Sequence, residues 1–284
     1  MKIVFQKYKK KAGGYMGSNE IRQGILNKLK ETEINYGVKI ILAIESGSRG
    51  WGFAAKDADY DCRFLCVHSK DWYLSIFDKK DFIEYAVDEV FDIRGIDIKK
   101  TLQYIVKPDA SIYEWLSSNE IYICNDNIVD RLKTLAIEFF NPISISWHYM
   151  GLARKMIDAI NETDTAKIKK YFYILRPIAN LEYISQYKKM PPMEYDRTFK
   201  EIHVSALIRE AVAELKALKL KSTEHHKIPQ HKLLLDYFNT EMERFTKLLK
   251  KMEHQKNRDY EQVNAVFKDI IERAWVDEAT TRNG

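Results

Sequence analysis

Two aspartates, Asp59 and Asp61, flank Tyr60 and follow a Ser46-Gly47-Ser48 turn after an interval of ten residues. On a β-strand, residues i and i+2 point to the same face. Both carboxylates therefore share one side, and Tyr60, Cys62 and Phe64 share the other. Like charges held that close on a rigid strand repel unless a cation lies between them, and hard divalent cations take oxygen ligands. The pair implies a Mg²⁺ (or Mn²⁺) site facing a Gly/Ser turn, Gly47 and Ser48, of the kind that binds phosphate. Two metals around a nucleoside triphosphate need about three acidic ligands. Asp97, at the close of the next long strand, is the expected third, with Asp92 as the alternative. One metal would help to ionise an acceptor hydroxyl; the other would bridge the triphosphate and stabilise the departing pyrophosphate. Arg49 and Arg63 are expected to neutralise phosphate charge.

These groups need rigid elements to hold them. The apolar run Ile40 to Ile44 enters the turn, and Phe64 to Val67 follows the aspartates. Upstream, Ser18 or Asn19 can cap a helix whose Ile21, Ile25, Leu26 and Leu29 repeat at helical spacing, closed by Gly37. Val38 to Ile44 reads as a buried strand. Residues 81–87 and 89–98 alternate as two further strands, with a tight connection at 87–89. Lys99 to Val106 reads as a helix stopped by Pro108. Residues 111–116 and the apolar 121–123 close a first domain near residue 125.

Beyond that point the pattern is helical. A helix starting near Ile128 is broken by Pro142; residues 144–160 and 166–186 follow, the latter kinked or divided at Pro177. Ser205 to Lys219 is another helix. Thr240 and Glu243 read as a capping box for a last helix burying Met242, Phe245, Leu248, Leu249 and Met252. The expected fold is α+β: a basic arm over residues 1–17, a small mixed-sheet domain over 18–125, and an all-helical domain over 126–284.

Composition sets the remaining bounds. With 45% hydrophobic and 31% charged residues the chain reads as soluble and globular. No stretch nears the roughly 20 apolar residues that span a bilayer, so a cytoplasmic location and no membrane partner are expected. Three cysteines, Cys62, Cys66 and Cys124, cannot build a disulfide framework, and Cys62 and Cys66 read as small core residues. His225, His226 and His231 lack a cysteine partner and read as a solvated loop. Residues 216–258 carry eleven Lys/Arg against five Asp/Glu, which suits a polyanionic partner or a solvated helix surface.

The turn and its aspartates, taken together, resemble the signature of the polymerase-beta nucleotidyltransferase superfamily. The string Glu45 to Phe53, ESGSRGWGF, resembles its RlaP-like branch, nucleotidyltransferases associated with RNA repair. Further similarity lies in Gly95 to Lys100, Ser111 to Leu116 and Lys170 to Pro177. Ala58 departs from the branch, which usually has serine there, and Ile96 from its usual tryptophan. The resemblance implies transfer of a nucleotidyl group from an NTP to an acceptor hydroxyl, on an RNA end in repair or tRNA processing; from the charge distribution, that RNA is expected to lie along the basic C-terminal helices. A protein or small-molecule hydroxyl, or RNA binding without catalysis, are the alternatives. It also brings Lys170 and Arg176 forward as triphosphate ligands, Arg176 alternatively pairing with an acid such as Glu182. Trp51 and Trp115 are expected to pack rather than to stack on bases.

Overall fold

The computed structural model describes residues 18–55, 57–87, 90–252 and 260–275. The basic arm expected over 1–17 and the turn expected at 88–89 lie outside the described residues. Helix α1 (Ser18–Tyr36) ends at Gly37, whose φ of +60° is the left-handed cap a helix C-terminus favours. It leads into β1 (Val38–Glu45), a short helical turn α2 (Gly47–Gly50), β2 (Tyr60–His68), α3 (Lys70–Tyr73), β3 (Phe82–Val87) and β4 (Phe91–Asp97). Then come α4 (Ile98–Val106), α5 (Ala110–Leu116) and β5 (Ile121–Cys124).

The five strands form one mixed sheet in the order β3-β4-β2-β1-β5. Only the β2–β4 pair is parallel. Strand alternation gives the sheet two apolar faces. Tyr60, Cys62, Phe64 and Cys66 of β2 pack with Ile21, Ile25 and Leu29 of α1, while Leu65 and Val67 face the helices that follow. In β1 the register slips between Ile40 and Leu42. This bulge turns Ile41 and Leu42 to the same side and resets the phase so that Glu45 reaches the turn on the α1 side.

The second half comprises α6 (Asp126–Phe139), α7 (Pro142–Asn161), β6 (Thr165–Lys167), α8 (Ile168–Tyr187), α9 (Tyr195–Glu201), α10 (Ala206–Lys221), β7 (Lys227–Pro229), α11 (Lys232–Leu249) and α12 (Tyr260–Ala274). It is not all helix: β6 and β7 pair as a two-stranded ribbon that fastens the His/Pro loop to the start of α8. Pro142 opens α7, where its missing N–H is no loss, and the Asn141 side chain accepts from Ile143 N and Ser144 N, both at 3.0 Å. Pro177 bends no break into α8, which runs through it. Thr240 is no cap. The apolar stripe extends upstream through Leu234, Leu235 and Phe238, so α11 starts at Lys232, and Thr240 Oγ1 donates to Asp236 O at 2.8 Å within it.

One apolar core runs from the sheet into these helices, joining Ile41 and Leu65 to Leu132, Tyr149, Phe172, Phe238 and Ile270. Helix α12 returns to the first half: Phe267 meets Tyr73 edge-on at 5.1 Å, and Trp275 Nε1 donates to His68 O at 3.0 Å. Gly95 of β4 lies where a Cβ would overlap the Phe64 ring. Gly95→Ala is expected to cost about 1–3 kcal/mol through overpacking, read as a lower urea midpoint at unchanged slope.

Candidate active site

The turn and the aspartates interlock. Ser46 N donates to Asp61 O at 2.8 Å, and Glu45 Oε1 accepts from Asp61 N at 3.0 Å. Gly47 has φ +57°, and a Cβ there would overlap the Asp61 carboxylate. Glycine is required twice over, by backbone conformation and by space. At Gly50 a Cβ would collide with the Glu45 carbonyl. The helical turn closes with Gly50 N to Ser46 O and Trp51 N to Gly47 O, both at 3.0 Å.

The two expected phosphate arginines are occupied within the protein. Arg49 donates to the backbone, to Ala58 O at 2.6 Å and Asp59 O at 3.1 Å, and its guanidinium lies 3.9 Å from the Tyr60 ring centroid. It fixes the approach to β2 and thereby orients Asp59, which is exposed. Arg63 bridges two carboxylates: Nη2 donates to Asp61 Oδ1 at 3.1 Å and to Asp92 Oδ2 at 2.9 Å, while Nη1 is tied to the carbonyls of Cys62 and Asp92. The cation between like charges at this point is a guanidinium.

The third carboxylate is where the expectation needs correcting. Because β2 and β4 are parallel, their starts lie together, and Asp61 pairs with Asp92 while Asp97 pairs with Cys66. Asp97 is five residues further along, about 16 Å at 3.3 Å per residue, and an odd interval places it on the opposite face. It is 1% exposed and fully engaged there. It caps α4 by accepting from Lys99 N at 2.8 Å, and also accepts from Tyr73 OH at 2.7 Å and pairs with His68 Nδ1 at 2.8 Å. Among the described residues, Cys66, His68 and Asp97 are the group of metal-type donors gathered within 4.8 Å. Burial pushes the Cys66 thiol well up, and its Sγ leans on Ile96 O at 3.7 Å, so this is a hydrogen-bonded strap at the far end of the sheet. Asp92 sits beside Asp61, its other oxygen taking Arg94 Nε at 2.7 Å.

Ser46, Gly47, Trp51, Asp61 and Arg63 form one wall of a cleft of about 500 Å³, a size suited to a small-molecule ligand. The opposite wall is helical: Ser111, Glu114 and Trp115 from α5, His148, Leu152, Lys155 and Met156 from α7, and Tyr173, Arg176 and Pro177 from α8. Arg176 is thus brought to the site. It pairs not with Glu182 but with buried Glu114, whose Oε1 also accepts from Tyr149 OH at 2.7 Å. Lys170 is not brought there; its Nζ donates to Ala159 O at 2.9 Å. Its neighbour Lys169 lies on the Tyr173–Arg176 face at helical spacing, within electrostatic range of Asp59, and pairs with Glu224 at 2.9 Å. Counting back seven from Arg176 would have found it. Helices α10 and α11 do not line the cleft, and several of their cations are paired: Lys216 with Asp196, Lys219 with Glu224, Arg244 with Glu182.

The carboxylates of the site act on one another and on their protons. Burial raises the Asp61 pKa; Arg63 opposes, and Asp92 and Asp59 push it higher. Glu45, 5% exposed, is pushed up to about 7 by burial, against the hydrogen bonds from Tyr122 (2.6 Å) and Asp61 N. A native carboxyl that binds its proton more tightly than the unfolded chain makes stability fall as pH rises between the two pKa values. The unfolding free energy is expected to drop between about pH 4.5 and 7, by on the order of 3 kcal/mol. Glu45→Gln, which keeps the acceptor for Asp61 N, should flatten that slope in urea titrations run across the range.

Residues 21–269 match the family described as RlaP: RNA repair pathway DNA polymerase beta family. The uncharacterized protein YcgL of Bacillus subtilis (strain 168) is 33% identical over 257 residues, covering 90% of this chain and 99% of that protein. Among solved structures, spectinomycin adenyltransferase AAD(9) from Enterococcus faecialis, with ATP and spectinomycin, is 12% identical with a TM-score of 0.40, over 78% of this chain and 99% of that one. A nucleotidyltransferase-like protein from Exiguobacterium sibiricum 255-15 is 14% identical with a TM-score of 0.28, over 81% and 74%. The match over residues 21–269 places this chain in the RlaP family of polymerase-beta-type nucleotidyltransferases.

Proposed function

We propose that the protein transfers a nucleotidyl group from an NTP to an acceptor hydroxyl on an RNA end, with release of pyrophosphate. The observation that carries this reading is the interlock of Gly47 with Asp61, beside Asp59 and opposite Asp92. Asp59 and Asp61 would hold a divalent metal, Mg²⁺ or Mn²⁺. The donor set fits: all-oxygen, acidic, and with an Asp61 pKa raised by burial and, to a lesser degree, by Asp92 and Asp59. Bound there, the metal supplies charge neutralisation at the phosphates. Asp92 is the third carboxylate of the site, and a metal must compete with Arg63 for it. Arg49 and Arg63 orient Asp59 and Asp61, and Arg176 with Lys169 offers positive charge from the helical wall. Ser46 and Gly47, rather than Ser48, face the bound nucleotide. In this reading the acceptor approaches along α7, past His148 and Lys155, since the helical wall of the cleft is built there.

RNA as acceptor is supported by the family description and by the cations on the cleft wall, which suit a polyanion. No helix among the described residues is long and apolar enough to cross a membrane. Incubating the protein with each labelled NTP, an RNA pool and cell extract is expected to label RNA; label on polypeptide or on a small molecule would overturn the acceptor assignment. Asp59→Ala/Asp61→Ala should abolish labelling with the fold intact by circular dichroism, and undiminished labelling would overturn the mechanism.

Asp92 and Asp97 separate cleanly. Asp92→Asn is expected to lower transfer about 10- to 100-fold and to raise the metal concentration needed for half-maximal rate. Asp97→Asn should leave transfer per folded molecule unchanged and cost about 1–3 kcal/mol of stability, measured by denaturant titration. The reverse pattern would return the third carboxylate to Asp97.

A further inference from the structure

Trp51 and Trp115 pack as expected: Trp115 is buried, and Trp51 lies against Arg176, Tyr173 and Phe53. Trp147 does not. It stands on α7, 40% exposed, and its indole makes no ring contact or hydrogen bond among the described residues. Its neighbour His148 lines the cleft, so the ring lies at the edge of the site.

One turn further along, Gly151 sits in the interior of the same helix. A helical glycine weakens its helix relative to alanine, which close packing against a neighbour can justify. Nothing packs here: a Cβ at Gly151 would meet no atom within 4 Å. The fold gives no reason for glycine at this position, whereas a ligand laid across the helix does, because bare backbone lets it come close. Leu152 beside it is exposed and lines the cleft. Arg154 and Lys155 are exposed, and among the described residues neither carries a hydrogen bond or an ion pair, unlike Lys216, Lys219 and Arg244. Gly151, Arg154 and Lys155 line an open depression of about 400 Å³, and Lys155 lines the cleft as well, so the two meet there. Asp158 and Glu162 close the far side of the depression. The helix is free of acid from Trp147 to Lys155, about 12 Å at 1.5 Å per residue.

We propose that the α7 face from Trp147 to Lys155 is a docking platform for a single-stranded end of the acceptor RNA. One base stacks on the Trp147 indole, the backbone crosses Gly151, and its phosphates pair with Arg154 and Lys155. The inference rests on the reading of RNA as the acceptor. An aromatic ring beside unpaired cations holds single strands without reading their sequence. A duplex, whose bases stack on one another, offers the ring no free face. The platform ends at the cleft, where an acceptor hydroxyl has to arrive.

Fluorescence anisotropy of a labelled single-stranded oligoribonucleotide, titrated with the full chain in the absence of NTP, tests the platform apart from catalysis. Trp147→Ala should weaken binding about tenfold. Gly151→Ala should weaken it severalfold while raising the unfolding temperature of the free protein, a combination that a purely structural residue does not give. Arg154→Ala should lower the slope of log affinity against log salt by about 0.7. Unchanged affinity in both Trp147→Ala and Gly151→Ala would overturn this inference alone. A duplex of the same sequence binding as tightly as the single strand would overturn the stacking assignment. Displacement of the strand by polyglutamate as readily as by unlabelled RNA would assign the face to an acidic polypeptide instead. A lowered unfolding temperature in Gly151→Ala would return the glycine to the fold. If the wild type binds neither single strand nor duplex, the RNA reading of the acceptor falls, and this inference with it.

Discussion

The site depends on the parallel pairing of β2 with β4. That single register sets Asp61 opposite Asp92 and leaves Arg63, on the same face two residues along, to bridge them. Parallel ladders need a crossover rather than a hairpin; here the connection runs through α3 and β3, and β3 then pairs antiparallel on the outer side of β4. The start of β2 is fixed from the other direction by β1, whose bulge brings Glu45 beneath the Asp61 amide. The turn carrying Gly47 has little freedom left, since Asp61 fills the space where a side chain would go.

The helical wall answers to the same constraint through a different interaction. Glu114 and Arg176 form a buried ion pair, and such pairs are weak contributors to stability because two charges must leave water. What this one supplies is position. Tyr149 and Glu114 fix the guanidinium against Trp51, which belongs to the turn. Sheet and helices thus meet through a charged contact at the cleft, above an apolar core that continues from one into the other. The Asp97 strap performs the matching task at the far end of the sheet, joining β4, α3 and α4, with Trp275 just past α12 bonded to the His68 carbonyl.

Much of this was legible from residue types. An apolar run located β1, the strand reading of the two aspartates located β2, helical spacing located α1, and Gly37 marked a helix end where a positive φ was required. The Gly47/Asp59/Asp61 spacing singled out a turn and a strand that the fold does set side by side. The errors have specific physical sources. Asp97 was favoured because it ends a strand, but the end of one strand meets the start of the next only in antiparallel neighbours, and β2 and β4 are parallel. Lys170 came forward from the resemblance, but it is one residue, a helix turn of about 100°, away from the Tyr173–Arg176 face, enough to aim its side chain at α7. Thr240 carried a capping signature that a longer apolar stripe overrode.

By itself the sequence determined the family, the order of the elements and the two aspartates beside their turn, because local propensity, alternation and a short motif act over a few residues. Only the tertiary structure decided which third carboxylate stands beside them, which helix face closes the cleft, and that Arg63 lies between charges rather than on a ligand. Those are matters of strand direction, register and helix rotation. Each is set by long-range packing that no local pattern encodes, and a shift of one residue in any of them turns a different side chain toward the site.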